Sequence, residues 1–172
     1  FNCFDAAMYF IKQKKIIGLI NCPVKKETLF KNKYQGVTEF LAKKVKYIGN
    51  EVMLIYNKKL SVSPITTHVP IEKVSKQITK NQIFKKVSII NKFYLQNFSK
   101  KPNIHILGLN PHNFSPNKNS EEKLSIIPAI KKLKRKKIKA EDLISADTSF
   151  LFKKKNKPDD TVGMHHDPLL LP

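Results

Sequence analysis

The sequence predicts an α/β or three-layer α/β/α fold built on a largely parallel or mixed sheet. Two observations lead to this fold class. Helical and strand-like segments alternate along the 172-residue chain, and such alternation is typical of parallel strands joined by helices. The strand-like segments are short apolar runs, as expected where both faces of a sheet are covered. Ligands bind such sheets at the carboxyl ends of the strands, so we expect the functional side chains there.

In the first half of the chain, the spacing of apolar residues separates helices from strands. Pro23 ends the first strand-like run, and Thr38 is a suitable N-cap for the third helix. The helices are predicted at 4–15, 26–32 and 38–47, and the strands at 16–21, 51–57 and 60–67.

The second half contains the longest predicted helix, at 79–98. Its apolar residues recur at helical spacing and share one side of the helix. They are Ile83, Phe84, Val87, Ile90, Phe93 and Tyr94. Further helices are predicted at 70–78 and 120–137, a strand at 103–110, and short extended segments at 146–152 and 161–166.

The chain is strongly basic, with a formal net charge of +20. This charge makes a basic nucleic-acid-binding module an alternative function class. The composition argues against it because Arg135 is the single arginine among 33 basic residues, and guanidinium groups are favoured for phosphate and base recognition. The densest basic run, at 131–137, is interpreted as a solvated helix end. We therefore predict no nucleic-acid partner.

The sequence shows no sign of membrane insertion or export. Its longest apolar runs fall far short of the roughly 20 residues that span a bilayer, and the start lacks a signal-peptide pattern. Cys3 and Cys22 form no CxxC motif and suit a reducing compartment. We expect a cytoplasmic protein without a membrane partner. Because both ends look cut, we also expect a fragment of a longer protein.

Three of the five histidines lie at or just past the ends of predicted strands. They are His68, His112 and His166. Residues so far apart in the sequence could come together only through tertiary folding. Three neutral imidazoles with an open fourth position would make a catalytic divalent-metal site. The alternative interpretation is that each histidine is an ordinary turn residue.

The neighbouring polar residues receive different interpretations. His105 lies inside a predicted strand and is interpreted as structural. If the last strand continues, only one of His165 and His166 can easily face a shared site, and alternation does not decide which. Asp147 and Asp167 lie near strand ends, where either carboxylate could orient an imidazole or serve only a turn. A glycine-rich phosphate loop and a GxSxG motif are both missing from the sequence.

A series of motifs is specific in its combined order. The motifs are NCPVKKETL, YQGVTEFLA, TTHVPIEKV, ILGLNPHN with a following SEE and IIPAI, SADTSF and GMHHDPLLLP. They resemble those of the 4-hydroxythreonine-4-phosphate dehydrogenases, the PdxA family of pyridoxal phosphate biosynthesis. The resemblance runs from about residue 5 to the end. Residues 1–172 would then be the central part of a PdxA-like catalytic chain, without an N-terminal third and a C-terminal segment.

The resemblance implies a two-domain α/β/α fold like that of isopropylmalate and isocitrate dehydrogenases. It also implies a homodimer with active sites at the domain cleft and the subunit interface. The implied cofactors are NAD and a divalent metal, either zinc, magnesium or cobalt. The metal ligands would be His68, His112 and His166, with His166 expected from the partner subunit.

The implied reaction is the oxidation and decarboxylation of 4-phosphooxy-L-threonine to 3-amino-2-oxopropyl phosphate, a step of vitamin B6 biosynthesis. Val37 and Thr38 match a substrate-contacting pair, and Lys26 matches a lysine that suits an anionic substrate group. Val37 replaces the usual histidine, so a paralogue acting on another phosphorylated hydroxy acid, such as a four-carbon sugar acid phosphate, is an alternative. An inactive remnant is another. The family's phosphate-binding residues would lie beyond Pro172, so we expect this chain alone to show little activity.

Overall fold

The computed structural model of the chain describes residues 2–30, 33–34, 36–57, 60–113, 118–149 and 157–166. The chain divides into two units, Phe1–Glu51 and Val52–Pro172. The sheet and all five histidines belong to the second unit.

The described part of the first unit is helical around an aromatic core. Its helices are α1 (Asn2–Lys12), α2 (Lys26–Phe30) and α3 (Val37–Lys44). The ring of Phe40 lies 5.3 Å from the ring of Phe30 and 5.3 Å from that of Tyr34. The prediction that Thr38 caps α3 is wrong, because the helix begins one residue earlier and Gly36 is the N-cap.

The strand predicted at 16–21 is also wrong. This segment has no regular secondary structure, and Ile17 and Ile20 are fully exposed. A strand needs a neighbour to bond its backbone N–H and C=O groups, and the described residues of this unit contain no other strand. Cys3 and Cys22 are both exposed and form no disulfide.

Three parallel strands form the sheet of the second unit. They are β1 (Val62–Pro64), β2 (Ile104–Ile106) and β3 (Asp160–Gly163). Their order is β1-β3-β2, so the last strand of the chain lies between the other two. The predicted α/β class with a parallel sheet is confirmed.

Two predicted extended segments differ in the structure. The strand predicted at 51–57 is reduced to one antiparallel bridge between Ile55 and Val62. Residues 146–148 form a 3₁₀ turn instead of an extended segment, while 150–152 lie outside the described residues. The Ser149 hydroxyl donates to the Ala146 carbonyl oxygen at 2.8 Å, a local bond of the kind that competes with extended structure.

Helices α4 (Ile71–Gln77), α5 (Lys80–Phe98) and α6 (Ile127–Arg135) belong to the same unit. The Thr79 hydroxyl caps α5 by accepting from Gln82 N at 3.2 Å. The core side chains of α5 are those predicted from helical spacing, namely Ile83, Val87, Ile90 and Tyr94, and they share one cluster with Ile104, Ile106 and Val162 of the sheet. Each such aliphatic side chain stabilises the fold by roughly 1.5–3 kcal/mol. Phe93, predicted on the same side, is exposed and contacts Phe98.

A smaller apolar cluster joins Val62 of β1 and Leu107, just after β2, to Ile144 and Ala146. Side chains alternate between the two faces of a strand, so Val62 and Leu107 lie on the face opposite to Ile106. Apolar residues therefore cover both faces of the sheet. In the described ranges, no helix is long and apolar enough to cross a membrane.

Candidate functional site

The three candidate metal-ligand histidines follow the three strands at one edge of the sheet. His68, His112 and His166 come after β1, β2 and β3 respectively, and β3 is central. Backbone pairing between β1 and β3 continues just past the end of β1, where Ile65 N donates to Gly163 O at 2.8 Å. The histidines therefore come after the part of the chain in which the strands are paired.

A cavity of about 210 Å³ lies beside the ends of β1 and β3. Its lining residues are Thr66, His68, Val69, Ile71, Val74, His165 and His166. The Thr66 hydroxyl donates to Met164 O at 2.9 Å and ties the two strand ends together. His165 and His166 both line the cavity, so the alternation expected of a continued strand does not apply to them. The reason is that residues 164–166 bend instead of continuing β3.

His112 lies next to a carboxylate outside this cavity lining. Its Nδ1 is 2.8 Å from Oδ2 of Asp147, and the two side chains are 78% and 46% exposed. The pKa of Asp147 is below its ordinary value, first because the Ser145 hydroxyl donates to it and also because His112 is near. A carboxylate at Nδ1 fixes the tautomer and orientation of an imidazole and leaves Nε2 as the ligating nitrogen.

The backbone at two of these histidines is unusual. His68 has φ 51° and His112 has φ 55°, both in the left-handed region, and Asn113 follows with φ 56°. Residues other than glycine occupy this region infrequently. Such conformations persist where the surrounding structure holds them in place, and they cluster at functional sites.

Comparison with known proteins identifies the family of this chain. The family described as "Pyridoxal phosphate biosynthetic protein PdxA" matches residues 1–172. The chain belongs to the PdxA family. A 4-hydroxythreonine-4-phosphate dehydrogenase of Sulfurihydrogenibium sp. (strain YO3AOP1) is 39% identical over 172 residues, which cover 98% of this chain and 52% of that relative. The chain thus spans about half the length of this PdxA relative.

Two further comparisons bear on fold and substrate. The crystal structure of 4-hydroxythreonine-4-phosphate dehydrogenase from Klebsiella pneumoniae matches with a TM-score of 0.85 and 25% identity, over 98% of this chain and 52% of that one. A protein of Oceanobacillus iheyensis, provisionally named D-threonate 4-phosphate dehydrogenase, is 30% identical over 97% of this chain and 51% of its own length. Relatives with two different substrate names thus resemble this PdxA chain.

The donor chemistry at the sheet edge fits a divalent metal, while the positions of the donors fit only in part. His68 and His166 line one cavity, and imidazole is a ligand that zinc and cobalt accept. Within the described ranges, however, no three His, Cys, Asp or Glu side chains lie close enough together to hold a metal ion. His105 is buried inside β2, in keeping with the structural interpretation.

The remaining predicted site residues are spread over the chain. Val37 is half-buried and Thr38 exposed in the first turn of α3. Lys26 is the first residue of α2, and its side chain is outside the described part of the structure, as is the whole of Asp167. Val37, Thr38 and Lys26 belong to the first unit, whereas Asp147 belongs to the second.

Sequence reasoning missed two carboxylates that hold the chain after β2. Glu121 and Glu122 both accept hydrogen bonds from Asn110, two residues before His112. A signal existed, because the paired glutamates belong to the motifs shared with the PdxA family. From the sequence alone, these two glutamates are assigned only to the start of the predicted helix at 120–137, because Glu is common in the first turn of helices.

Replacing Gly108 by alanine is expected to destabilise the second unit by about 1–3 kcal/mol, the usual cost of overpacking. A Cβ on Gly108 would overlap the side-chain amide of Asn113. With its amide oriented to suit its neighbours, Asn113 donates to Ile144 O at 3.2 Å and accepts from Ser145 N at 2.9 Å. The added methyl group would therefore displace the anchor that follows His112. Chemical denaturation of the two proteins measures the loss.

Gly18→Ala is the matched control for this prediction. A Cβ at Gly18 would meet nothing within 4 Å, so its effect should stay within about 0.5 kcal/mol, as for other surface changes. Equal unfolding free energies for the native chain and Gly108→Ala would show that Asn113 can move aside without cost.

Proposed function

We propose that this chain is the central part of an enzyme that oxidises and decarboxylates 4-phosphooxy-L-threonine. The product is 3-amino-2-oxopropyl phosphate, and the reaction uses NAD and serves vitamin B6 biosynthesis in the cytoplasm. The observation that carries this proposal is the placing of strand-end histidines, His68 and His166, in one cavity of a PdxA-family chain. The names of two relatives, both 4-hydroxythreonine-4-phosphate dehydrogenases, support the same reaction.

We assign His68, His112 and His166 as ligands of a divalent metal. Neutral imidazoles suit zinc or cobalt better than magnesium, which prefers oxygen ligands. When bound, such a metal supplies Lewis-acid polarisation of the substrate oxygen that changes from hydroxyl to carbonyl. When bound, NAD would supply the hydride acceptor, and no residue of this chain is assigned to it. We further propose a homodimer with the active site at the subunit interface. Because His166 lines one cavity with His68 of the same chain, we assign both histidines to the same site.

The other residues of the site are assigned by what their side chains can do. Asp147 accepts from Nδ1 of His112 and so orients its Nε2 towards the metal position. The Thr38 hydroxyl can both donate and accept a hydrogen bond to substrate, whereas Val37 offers only apolar contact. Lys26 is a cation for an anionic substrate group, and Asp167 is a second carboxylate beside His166.

A second substrate has specific support. Val37 stands where the PdxA family usually has a histidine, and one relative is provisionally named D-threonate 4-phosphate dehydrogenase. An apolar side chain cannot replace a hydrogen bond to the substrate, and a missing polar contact can change selectivity by several orders of magnitude. Oxidation of a four-carbon sugar acid phosphate is therefore the alternative function.

A chimera distinguishes these functions. Residues 1–172 would replace the matching segment of the Sulfurihydrogenibium relative, which supplies the parts of the enzyme outside the match. NADH formation would then be followed with 4-phosphooxy-L-threonine and with D-threonate 4-phosphate. We expect a higher kcat/KM for 4-phosphooxy-L-threonine, and much slower turnover by the 172-residue chain alone. Preference for the sugar acid phosphate would establish the alternative, and a chimera that binds Co²⁺ but oxidises neither would contradict both.

A further inference from the structure

Two consecutive carboxylates, Glu121 and Glu122, lie where the chain enters the helix that leads into α6. Glu122 is only 2% exposed. It opens a π-helical turn, Glu122–Ile126, in which Ile127 N bonds back to Glu122 O. Pi-helical turns are rare and occur often at functional sites. A buried carboxylate also needs several hydrogen bonds to offset its desolvation.

Glu122 finds those hydrogen bonds in the segment that carries His112. Its Oε1 accepts from Leu109 N at 3.0 Å and from Asn110 N at 2.9 Å. Its Oε2 accepts from Asn110 Nδ2 at 2.8 Å. Burial raises the pKa of Glu122, but the donors of Asn110 and Leu109 outweigh it, so the pKa lies below its ordinary value. The side chain is therefore a carboxylate at neutral pH, and the backbone after β2 wraps around it.

Glu121 extends this arrangement to the chain that follows β1. It accepts a hydrogen bond from the Ser75 hydroxyl of α4, and its Oε2 accepts from Asn110 Nδ2 at 3.2 Å. Helix α4 begins three residues after His68. The two carboxylates thus connect the segment after β1 with the segment after β2, and each of these segments carries a histidine in the left-handed region.

We propose that Glu122, assisted by Glu121, is a positioning residue for His112. It holds two backbone N–H groups just before His112, and this keeps the following residues in the left-handed conformation that places the imidazole beside Asp147. The inference rests on the proposed function, because it assumes that His112 is a metal ligand. It adds residues that do not touch the metal or the substrate and act through His112.

The test compares Glu122→Ala and Glu122→Gln with the native chain. Co²⁺ affinity would be measured from the visible absorption of the bound ion, and amide hydrogen exchange would be followed at Leu109 and Asn110. The alanine variant should bind Co²⁺ about 10–100-fold more weakly, the usual effect of losing a group that orients a ligand. Exchange should accelerate at Leu109 and Asn110 but not at Ile106 of β2, which reports on the intact fold.

Glu122→Gln provides a graded control. Its amide oxygen can still accept from the two backbone N–H groups, but its amide nitrogen meets another donor, Asn110 Nδ2. It should therefore restore part of the Co²⁺ affinity lost in the alanine variant, and it remains informative if that variant fails to fold. Asp142→Asn, which changes an exposed carboxylate paired with Lys134, should leave Co²⁺ binding and the exchange pattern unchanged.

His112→Ala separates failure of this inference from failure of the proposed function. If His112→Ala weakens Co²⁺ binding and both Glu122 variants bind Co²⁺ with native affinity despite faster exchange at Leu109 and Asn110, the positioning role is wrong and the metal site stands. If His112→Ala itself keeps native affinity, the metal assignment is wrong and the positioning role is overturned with it. Weakened binding in His112→Ala and Glu122→Ala, with partial rescue by glutamine, supports both.

Discussion

His166→Ala should weaken Co²⁺ or Zn²⁺ binding by at least about 100-fold, because losing a ligand should cost at least as much as losing a group that orients one. Ligand binding also stabilises a folded protein by mass action. At a free metal concentration of about 100 times the native dissociation constant, the native chain gains about 2.7 kcal/mol. At the same concentration, a variant with 100-fold weaker affinity gains only about 0.4 kcal/mol. Metal titration and metal-dependent denaturation measure the two quantities independently.

His165→Ala is the matched control, because His165 precedes His166 and lines the same cavity. The PdxA resemblance assigns the metal to His166 and places a tyrosine at the position of His165. We therefore expect His165→Ala to change metal affinity by no more than about threefold, since it removes neither a ligand nor a group that orients one. A larger effect from His165→Ala than from His166→Ala would reverse the assignment within the pair.

The helices and the parallel sheet could be predicted because their signals are local. Apolar residues at helical spacing predicted α5, and the hydroxyl of Thr79 caps it. Segment 16–21 is as apolar as a buried strand, but the described residues of its unit offer no partner strand. Strand formation depends on a neighbour as well as on composition, and a single sequence does not contain that information.

The sequence could indicate candidate site residues only by their position after a strand. The parallel order places the ends of β1, β2 and β3 at one edge. His68 and His166 line a cavity there, whereas His112 lies beside Asp147 outside that lining. Which of them share a cavity depends on how the chain bends after each strand. The bend at 164–166 brings both His165 and His166 to the cavity, and the carboxylates that hold the segment before His112 come from a helix ten residues later. Long-range contacts of this kind have no local sequence signal.

Asp160 is a buried carboxyl group of the sheet with a raised pKa. It lies in the central strand β3, is 0% exposed, and is flanked by β1 and β2. Burial raises its pKa to about 7, although the Ser63 hydroxyl and the Thr161 backbone act in the opposite direction. Burial is the main reason that the pKa of Tyr94 in α5 rises to about 12, and the nearby Asp160 adds to the rise. A carboxyl group in this position carries no charge until the pH approaches neutrality.

The raised pKa makes stability depend on pH. In the unfolded chain Asp160 ionises near 3.8, whereas in the folded chain it keeps its proton up to about pH 7. Between these values unfolding releases a proton, so the free energy of unfolding falls as the pH rises and levels off above about 7. A difference of about three pH units corresponds to roughly 4 kcal/mol. Above pH 7 the free energy of unfolding is therefore lowered by the full cost of burying the ionised carboxylate.

Asp160→Asn should remove this cost, because an amide of similar shape does not ionise. We expect the variant to exceed the native chain in unfolding free energy by up to roughly 4 kcal/mol at pH 8, and the difference to shrink towards zero near pH 4. Urea denaturation at several pH values measures this difference.

Asp159→Asn is the adjacent control. The Asp159 carboxylate pairs with Lys100 and accepts from Asn103 N at 2.9 Å, so its loss should destabilise the fold by about 1–3 kcal/mol. If the unfolding free energies of Asp160→Asn and the native chain depended on pH in the same way, Asp160 would already be ionised in the folded chain at pH 5. That result would contradict its raised pKa.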